Sequence, residues 1–410
     1  MIVVRPKGRS MAARVKALIT PALITWARDT AGFSIAEAAD KLDIDTATLT
    51  AWEDPNDGDA APSIPQLRKL AGLFKRPLAI FYLPEPPTKF QVMRDLRRLP
   101  GTGFRHYSPA LQMEIRAAAE RRELALDLAA ELDEEIPKFS LKAELKEDAE
   151  SVGHRIRAAL GVTDDLQRNW RDADGRTGFN AWRSRIEATG TLVFQSAAID
   201  SEEASGFAIF HDTSPVISVN RKDALTRRTF SLLHEFAHLM IHVSGVSDLE
   251  TDAKRPPEDQ AIEVFCNQVA AAALMPKDTL LAEPGVAQQG MRSEAWTDAQ
   301  IGDLARRFNV SREAILRRLL TFDRTTNAFY TRKRGQYIAE HQAQRARQRE
   351  QVKDIRRNMP QETVSHFGKP LIRMLLNNYW QDRMTLSAVS GYLGLKVKHI
   401  PKLAKAAGLR

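Results

Sequence analysis

In the stretch TFSLLHEFAHLMIH (229–242) three histidines stand four residues apart, at His234, His238 and His242, with Glu235 beside the first. On an α-helix positions i and i+4 share a face, so His234 and His238 can offer two imidazoles to one metal ion. Glu235 lies about 100° round the helix, close enough to take a proton from a metal-held water without ligating the metal. This is the H-E-x-x-H arrangement, and Zn2+ is the ion it suits. His242 is eight residues from His234, about 12 Å along a straight axis, and a zinc about 2 Å from each ligand cannot span that. No glycine in 239–243 offers a bend, so His242 is expected to pack, or to support a ligand from behind.

A catalytic zinc needs three protein ligands and one open position. The acids Asp248, Glu250, Asp252, Glu258 and Asp259 belong to a polar, proline-containing stretch. Glu263 opens EVFCNQVAAAALMP, an alanine-rich apolar segment whose helix can pack closely on 229–242, so it is the expected third ligand. Asn267, one turn on, is placed to orient a ligand through a hydrogen bond. Cys266 is a competing soft ligand, but its spacing from Glu263 fits a small core residue better.

The elements that must position these groups are legible around them. The segments 190–197, 206–212 and 215–221 are rich in Val, Ile and Phe, are bounded by Gly, Pro and Asp, and read as a small antiparallel sheet. Helical spacing follows over 224–243 and 258–274. Long charged helices are expected at about 108–133 and 141–160. Residues 15–83 read as five short helices; FSIAEAADKLDIDTATLTAWED (33–54) has the spacing of a helix, a tight turn and a second helix. Two further helix-turn-helix-like units follow, in 298–322 and 386–408. Between them 331–357 carries nine Arg or Lys against three acids and reads as a solvated helix or linker.

The 410 residues suffice for two or three domains, and 43% hydrophobic with 27% charged residues excludes global disorder. One cysteine excludes an internal disulfide framework and suits a reducing compartment. No apolar run approaches the roughly 18 residues that span a bilayer, so no membrane partner and a cytoplasmic location are expected. Six basic residues and no acid in 1–28 read as a basic first helix rather than a transit peptide. A net charge of +8 permits nucleic-acid contact without requiring it.

The run PVISVNRKDALTRRTFSLLHEFAHLMIH followed by EVFCNQVAAAALMP resembles the ImmA/IrrE family of bacterial metallopeptidases, and the resemblance covers about 150–325. It implies a gluzincin-like zinc endopeptidase that cuts transcriptional repressors in stress responses or mobile-element induction. By the same resemblance His234, His238 and Glu263 are the zinc ligands and Glu235 is the catalytic carboxylate. Phe265 stands where relatives often carry a second acid, which removes a rival ligand. Residues 15–87 resemble an Xre-type helix-turn-helix, a module that often precedes such a domain.

The expected architecture is therefore multidomain and mostly α. It comprises an all-α helix-turn-helix domain (1–88), a helical linker (89–150), an α+β gluzincin-like zinc peptidase domain (151–326) and a basic helical linker with a helix-turn-helix-like end (327–410). Thr46, Thr48 and Thr50 are the candidate contacts of the front end, to DNA or to a protein partner such as a repressor or antitoxin-like regulator. Eight acids against one base between Ser34 and Ala60 oppose DNA, because phosphate neutralisation supplies most non-specific affinity. A transcription regulator whose peptidase-like domain acts only as a sensor is the alternative reading.

Overall fold

The structure is a computed structural model that describes residues 16–57, 60–87, 94–95, 107–172, 174–247, 256–351 and 358–409; the side chains of 94–95 and 344–351 fall outside the description. The first fifteen residues, Asp59 and the acids Asp248, Glu250 and Asp252 lie outside the described residues. The chain divides into two compact units, Met1–Val92 with Arg105–Glu114, and Met93–Phe104 with Ile115–Arg410. Among the described residues no helix is long and apolar enough to cross a membrane.

In the first unit four helices, α1 (Pro21–Thr30), α2 (Ile35–Leu42), α3 (Thr46–Glu53) and α4 (Ile64–Leu73), are followed by a 3-10 turn at Leu78–Tyr82. They enclose a core that includes Leu23, Ile24, Leu49, Leu67 and Phe74. Ser34 and Glu37 form a reciprocal capping box at the start of α2, and Asp43 ends it in the left-handed conformation at φ 57°. Arg28 of α1 grips Glu53 of α3 through two hydrogen bonds of 2.7 and 2.9 Å. Several acids of this segment are therefore engaged internally: Glu53 is half-buried and paired with Arg28, Glu37 caps α2, and Asp54 and Asp57 accept from the Asn56 and Ala60 N–H groups.

Helix α5 (Pro109–Glu131) has its residues to Glu114 in the first unit and the rest in the second, which continues with α6 (Ala149–Ala159), α7 (Asp164–Arg168) and α8 (Arg176–Glu187). The helix expected from 141 starts only at 149, because Asp148 caps it by accepting from the Ser151 backbone N–H at 2.9 Å. Strands β1 (Arg94–Asp95), β2 (Leu192–Ser196), β3 (Gly206–Ile209), β4 (Val216–Asn220) and β5 (Gly245–Ser247) form one sheet in the order β1-β5-β3-β4-β2. The remaining helices are α9 (Leu225–Met240), α10 (Pro257–Leu274), α11 (Lys277–Ala282), α12 (Pro284–Ala287), α13 (Asp298–Phe308), α14 (Arg312–Thr321), α15 (Asn327–Gln351), α16 (Met359–Phe367), α17 (Lys369–Trp380), α18 (Leu386–Leu393) and α19 (Ile400–Ala407).

The sheet is mixed, not antiparallel. β3 pairs antiparallel with β4 as a hairpin, but β2 runs parallel to β4 on its other side, with Leu192 opposite Val216 and Ser196 opposite Asn220. Every residue of β2 and β4 is buried, so neither strand shows the alternation that marks a sheet with one wet face. The outer edge of β2 is covered by α16. Gln195 donates to the Ser365 carbonyl and hydroxyl at 3.1 and 2.8 Å, and the His366 ring meets the Gln195 carbonyl at 2.7 Å. Such cover removes the open edge that invites pairing with another chain.

α9 runs through the middle of one continuous core and is buried from Ser231 to Met240. α10 lies beside it, and its alanines let α6 approach closely from the other side. A Cβ on Gly153 of α6 would meet the Ala272 Cβ at 2.6 Å, so glycine is required at that crossing.

Candidate metal centre

α9 carries His234 and His238 one turn apart, and α10 carries Glu263 opposite them; all three are at most 1% exposed. Their donor atoms converge. The two Nε2 atoms are 3.0 Å apart, His238 Nε2 is 3.2 Å from Glu263 Oε1, and His234 Nε2 is 3.5 Å from Glu263 Oε2. A tetrahedral zinc about 2.0–2.1 Å from each ligand separates its donors by about 3.3 Å. These three distances, of which the two to Glu263 end on different oxygens, bracket that value, and the donor set of two imidazoles and one carboxylate is one that zinc takes. Among the described residues this is the group of three or more such side chains with ligand geometry.

The supporting contacts explain why the rings face this way. His234 Nδ1 meets Asn267 Oδ1 at 3.0 Å. The amide oxygen can only accept, so the ring proton sits on Nδ1 and Nε2 is left with its lone pair towards the cluster. Burial works against charge on all the groups here; mutual attraction overrides it for His234 and Glu263 but not for His238. Burial favours the neutral His234 ring, but Glu263 outweighs it and raises the pKa. Burial likewise pushes the Glu263 carboxyl up, yet His234 and His238 hold it well below the usual carboxylate range. His238 is lowered, chiefly by burial.

Glu235 is fully buried next to the cluster, and neither of its carboxylate oxygens has a hydrogen-bond partner of good geometry. Burial pushes its carboxyl up to about 8; the charge of Glu263 adds to the rise, while His234 and the Ser247 hydroxyl oppose it. β3 runs past this side chain, and a Cβ on Gly206 would lie 3.0 Å from Glu235 Oε1 and 2.9 Å from the Ser218 carbonyl. Ser247 of β5 completes the wall, its Oγ 3.3 Å from His238 Nε2. Neither Gly206 nor Ser247 is marked by spacing in the sequence, since each arrives through strand pairing.

His242 stands outside the cluster. It is exposed, adopts φ 57° just past the end of α9 and stacks on Phe210 with ring centroids 4.1 Å apart. Cys266 is buried in the core, and burial raises its thiol well above the ordinary value. β4 is flanked by β3 and β2 and has no free edge, so no substrate strand can add to PVISVNR. In the first unit Thr46 and Thr50 share one face of α3, where the Thr50 hydroxyl donates back to the Thr46 carbonyl at 2.9 Å. Thr48 lies about 200° round from Thr46, so the three do not present one surface.

Two histidines on α9 and a glutamate on α10, with Glu235 beside them, form a cluster that could hold a metal ion. Residues 189–320 match the family model of the IrrE N-terminal-like domain, Peptidase_M78, and that stretch contains His234, Glu235, His238 and Glu263. No curated protein matches the chain. Among solved structures a Mycobacterium tuberculosis transcriptional regulator is similar at 18% identity, over 48% of this chain and 51% of that one, with a TM-score of 0.26. The chain thus spans about half the length of that structure.

Proposed function

We propose that this protein is a zinc-dependent endopeptidase that cuts a protein partner, a transcriptional repressor or antitoxin-like regulator, in a bacterial stress or mobile-element response. The observation that carries the reading is the convergence of both Nε2 atoms, 3.0 Å apart, on the two Glu263 oxygens at 3.2 and 3.5 Å, beside a buried Glu235. His234 and His238 through Nε2, and Glu263 through its carboxylate, would hold the ion. Bound zinc supplies a water acidified to near neutrality, an electrophile for the peptide carbonyl, and a positive charge that favours ionised Glu235.

The chain's own residues do the rest. Asn267 fixes the His234 ring so that Nε2 stays aimed inward. Glu235 accepts the water's proton at a carboxylate oxygen and delivers it to the amide nitrogen that leaves. Gly206 leaves space for that carboxylate between β3 and α9. A sensor that only recognised a ligand would have no proton for Glu235 to move.

The first unit is proposed to dock the partner. Asp40, Asp43, Asp45, Asp54 and Asp57 face solvent there, a surface that repels a phosphate backbone and suits a basic protein face. The test measures cleavage of a candidate repressor or antitoxin-like regulator that co-purifies with this protein. Cleavage should stop on dialysis against a chelator and return with one equivalent of zinc. Cleavage that survives chelation, with no zinc retained, would sink the reading.

A further inference from the structure

The C-terminal end carries a second helix-turn-helix whose charge is opposite to that of the first. α18 starts at Thr385, whose hydroxyl accepts from the Ala388 N–H at 3.1 Å, and ends at Gly394 in the left-handed conformation, φ 58°. Leu395 is buried and anchors the turn, a 3-10 segment spans Val397–His399, and α19 follows at once. α17 packs against both α18 and α19. In the first unit the α2–α3 pair uses the same device, two eight-residue helices with a left-handed residue, Asp43, ending the first.

The surfaces differ. From Arg383 to Arg410 there are six Lys or Arg and no Asp or Glu. Lys396, Lys398, Lys402 and Lys405 are all exposed on the turn and on α19, and none of them is engaged in an ion pair among the described residues. The apolar face of α19, Ile400, Leu403, Ala404 and Ala407, is wholly committed to the core. Beside Lys402 and Lys405 a cleft of about 520 Å³ opens towards the start of α16, lined also by Asn358, Gln361 and His399.

We infer that this C-terminal helix-turn-helix binds duplex DNA, through phosphate contacts from Lys396, Lys398, Lys402 and Lys405, with α19 laid along the major groove. Four unpaired ammonium groups around one short helix match a polyanion. α19 turns no large apolar side chain outward, but Tyr392 of α18 and Val397 of the turn are exposed, so anionic vesicles are the competing probe: binding to them as tight as to the duplex overturns the inference. The B-form major groove, about 12 Å wide, admits a helix, whereas that of duplex RNA is too narrow. The outward side chains of α19 are lysines rather than amide or hydroxyl groups, so the contact reads backbone more than sequence.

The test measures binding of the full chain to a mixed-sequence 20-base-pair duplex by fluorescence anisotropy at several salt concentrations. Four phosphate contacts give a log–log slope near −3.6, roughly a 100-fold loss of affinity between 50 and 200 mM salt. Lys402→Ala with Lys405→Ala, both exposed and so compatible with folding, should halve the slope and weaken binding at least about 10-fold at low salt. Circular dichroism confirms that the variant is folded. No binding at 50 mM salt overturns the inference. So does an unchanged slope in the folded double variant, which would place the contacts elsewhere, for instance on the basic α15. Equal affinity for an RNA duplex also overturns it.

Discussion

Replacing Gly206 by alanine tests whether β3 positions the Glu235 carboxylate. The added Cβ would sit 2.9 Å from the Ser218 carbonyl and 3.0 Å from Glu235 Oε1, with Glu235 Cγ at 3.2 Å. Ordinary contact for such pairs begins near 3.4 Å, so strand and side chain together must yield by about 0.4–0.5 Å. Overpacking of this kind costs about 1–3 kcal/mol of stability. A displacement of about 1 Å in a catalytic group can cost about 10²-fold in rate, so about half that shift predicts a loss near 10-fold. Gly206→Ala should therefore lower kcat on a confirmed protein substrate by about 10-fold while zinc content stays at the wild-type level, because none of the three proposed ligands is touched. Gly285→Ala, where a Cβ meets nothing within 4 Å, serves as the neutral control. If Gly206→Ala cleaved as fast as the control, the placement of Glu235 against β3 would be wrong.

Three further outcomes follow from the same geometry. Glu263→Ala should lose as much zinc as His238→Ala after dialysis, whereas His242→Ala, which removes only a surface stack on Phe210, should keep its metal; equal loss in His242→Ala would contradict the ligand set. His366 is held neutral by burial and by Arg121, which places its pKa at about 4 against an ordinary 6.5. The unfolded chain takes up this proton between pH 6.5 and 4 while the folded chain does not, so stability falls across that window by at most about 3 kcal/mol. Denaturant midpoints at pH 7 and 4.5 should differ less in His366→Gln than in the wild type. Glu53→Ala removes two hydrogen bonds of the buried Arg28 but leaves its pair with Asp29, and should destabilise the first unit by about 1–3 kcal/mol, read by hydrogen exchange of its core amides.

What could be read from the chain was whatever depends on helical repeat. His234 and His238 lie four apart, where helix periodicity puts them on one face, and Glu263 stands out as the carboxylate at the head of the apolar, alanine-rich part of α10. The strands were locatable from their composition, but their order was not. β2 and β4 are buried on both faces, so alternation is lost, and the parallel pairing of β2 with β4 brings together segments separated by an intervening strand. Gly206 and Ser247 reach the site only through that pairing. The acidic character of the front segment was overcounted for a similar reason: Glu53 is paired with Arg28, 25 residues earlier in the chain, a contact that no local pattern announces.

Glu235→Gln tests the central claim most directly, because it leaves every proposed ligand in place and removes only the group assigned to move the proton. Zinc content and cleavage of the confirmed partner should be measured on the same preparation. The account predicts one zinc per chain and a rate reduced at least about 10²-fold. A fully loaded Glu235→Gln variant that cleaves at the wild-type rate would contradict it.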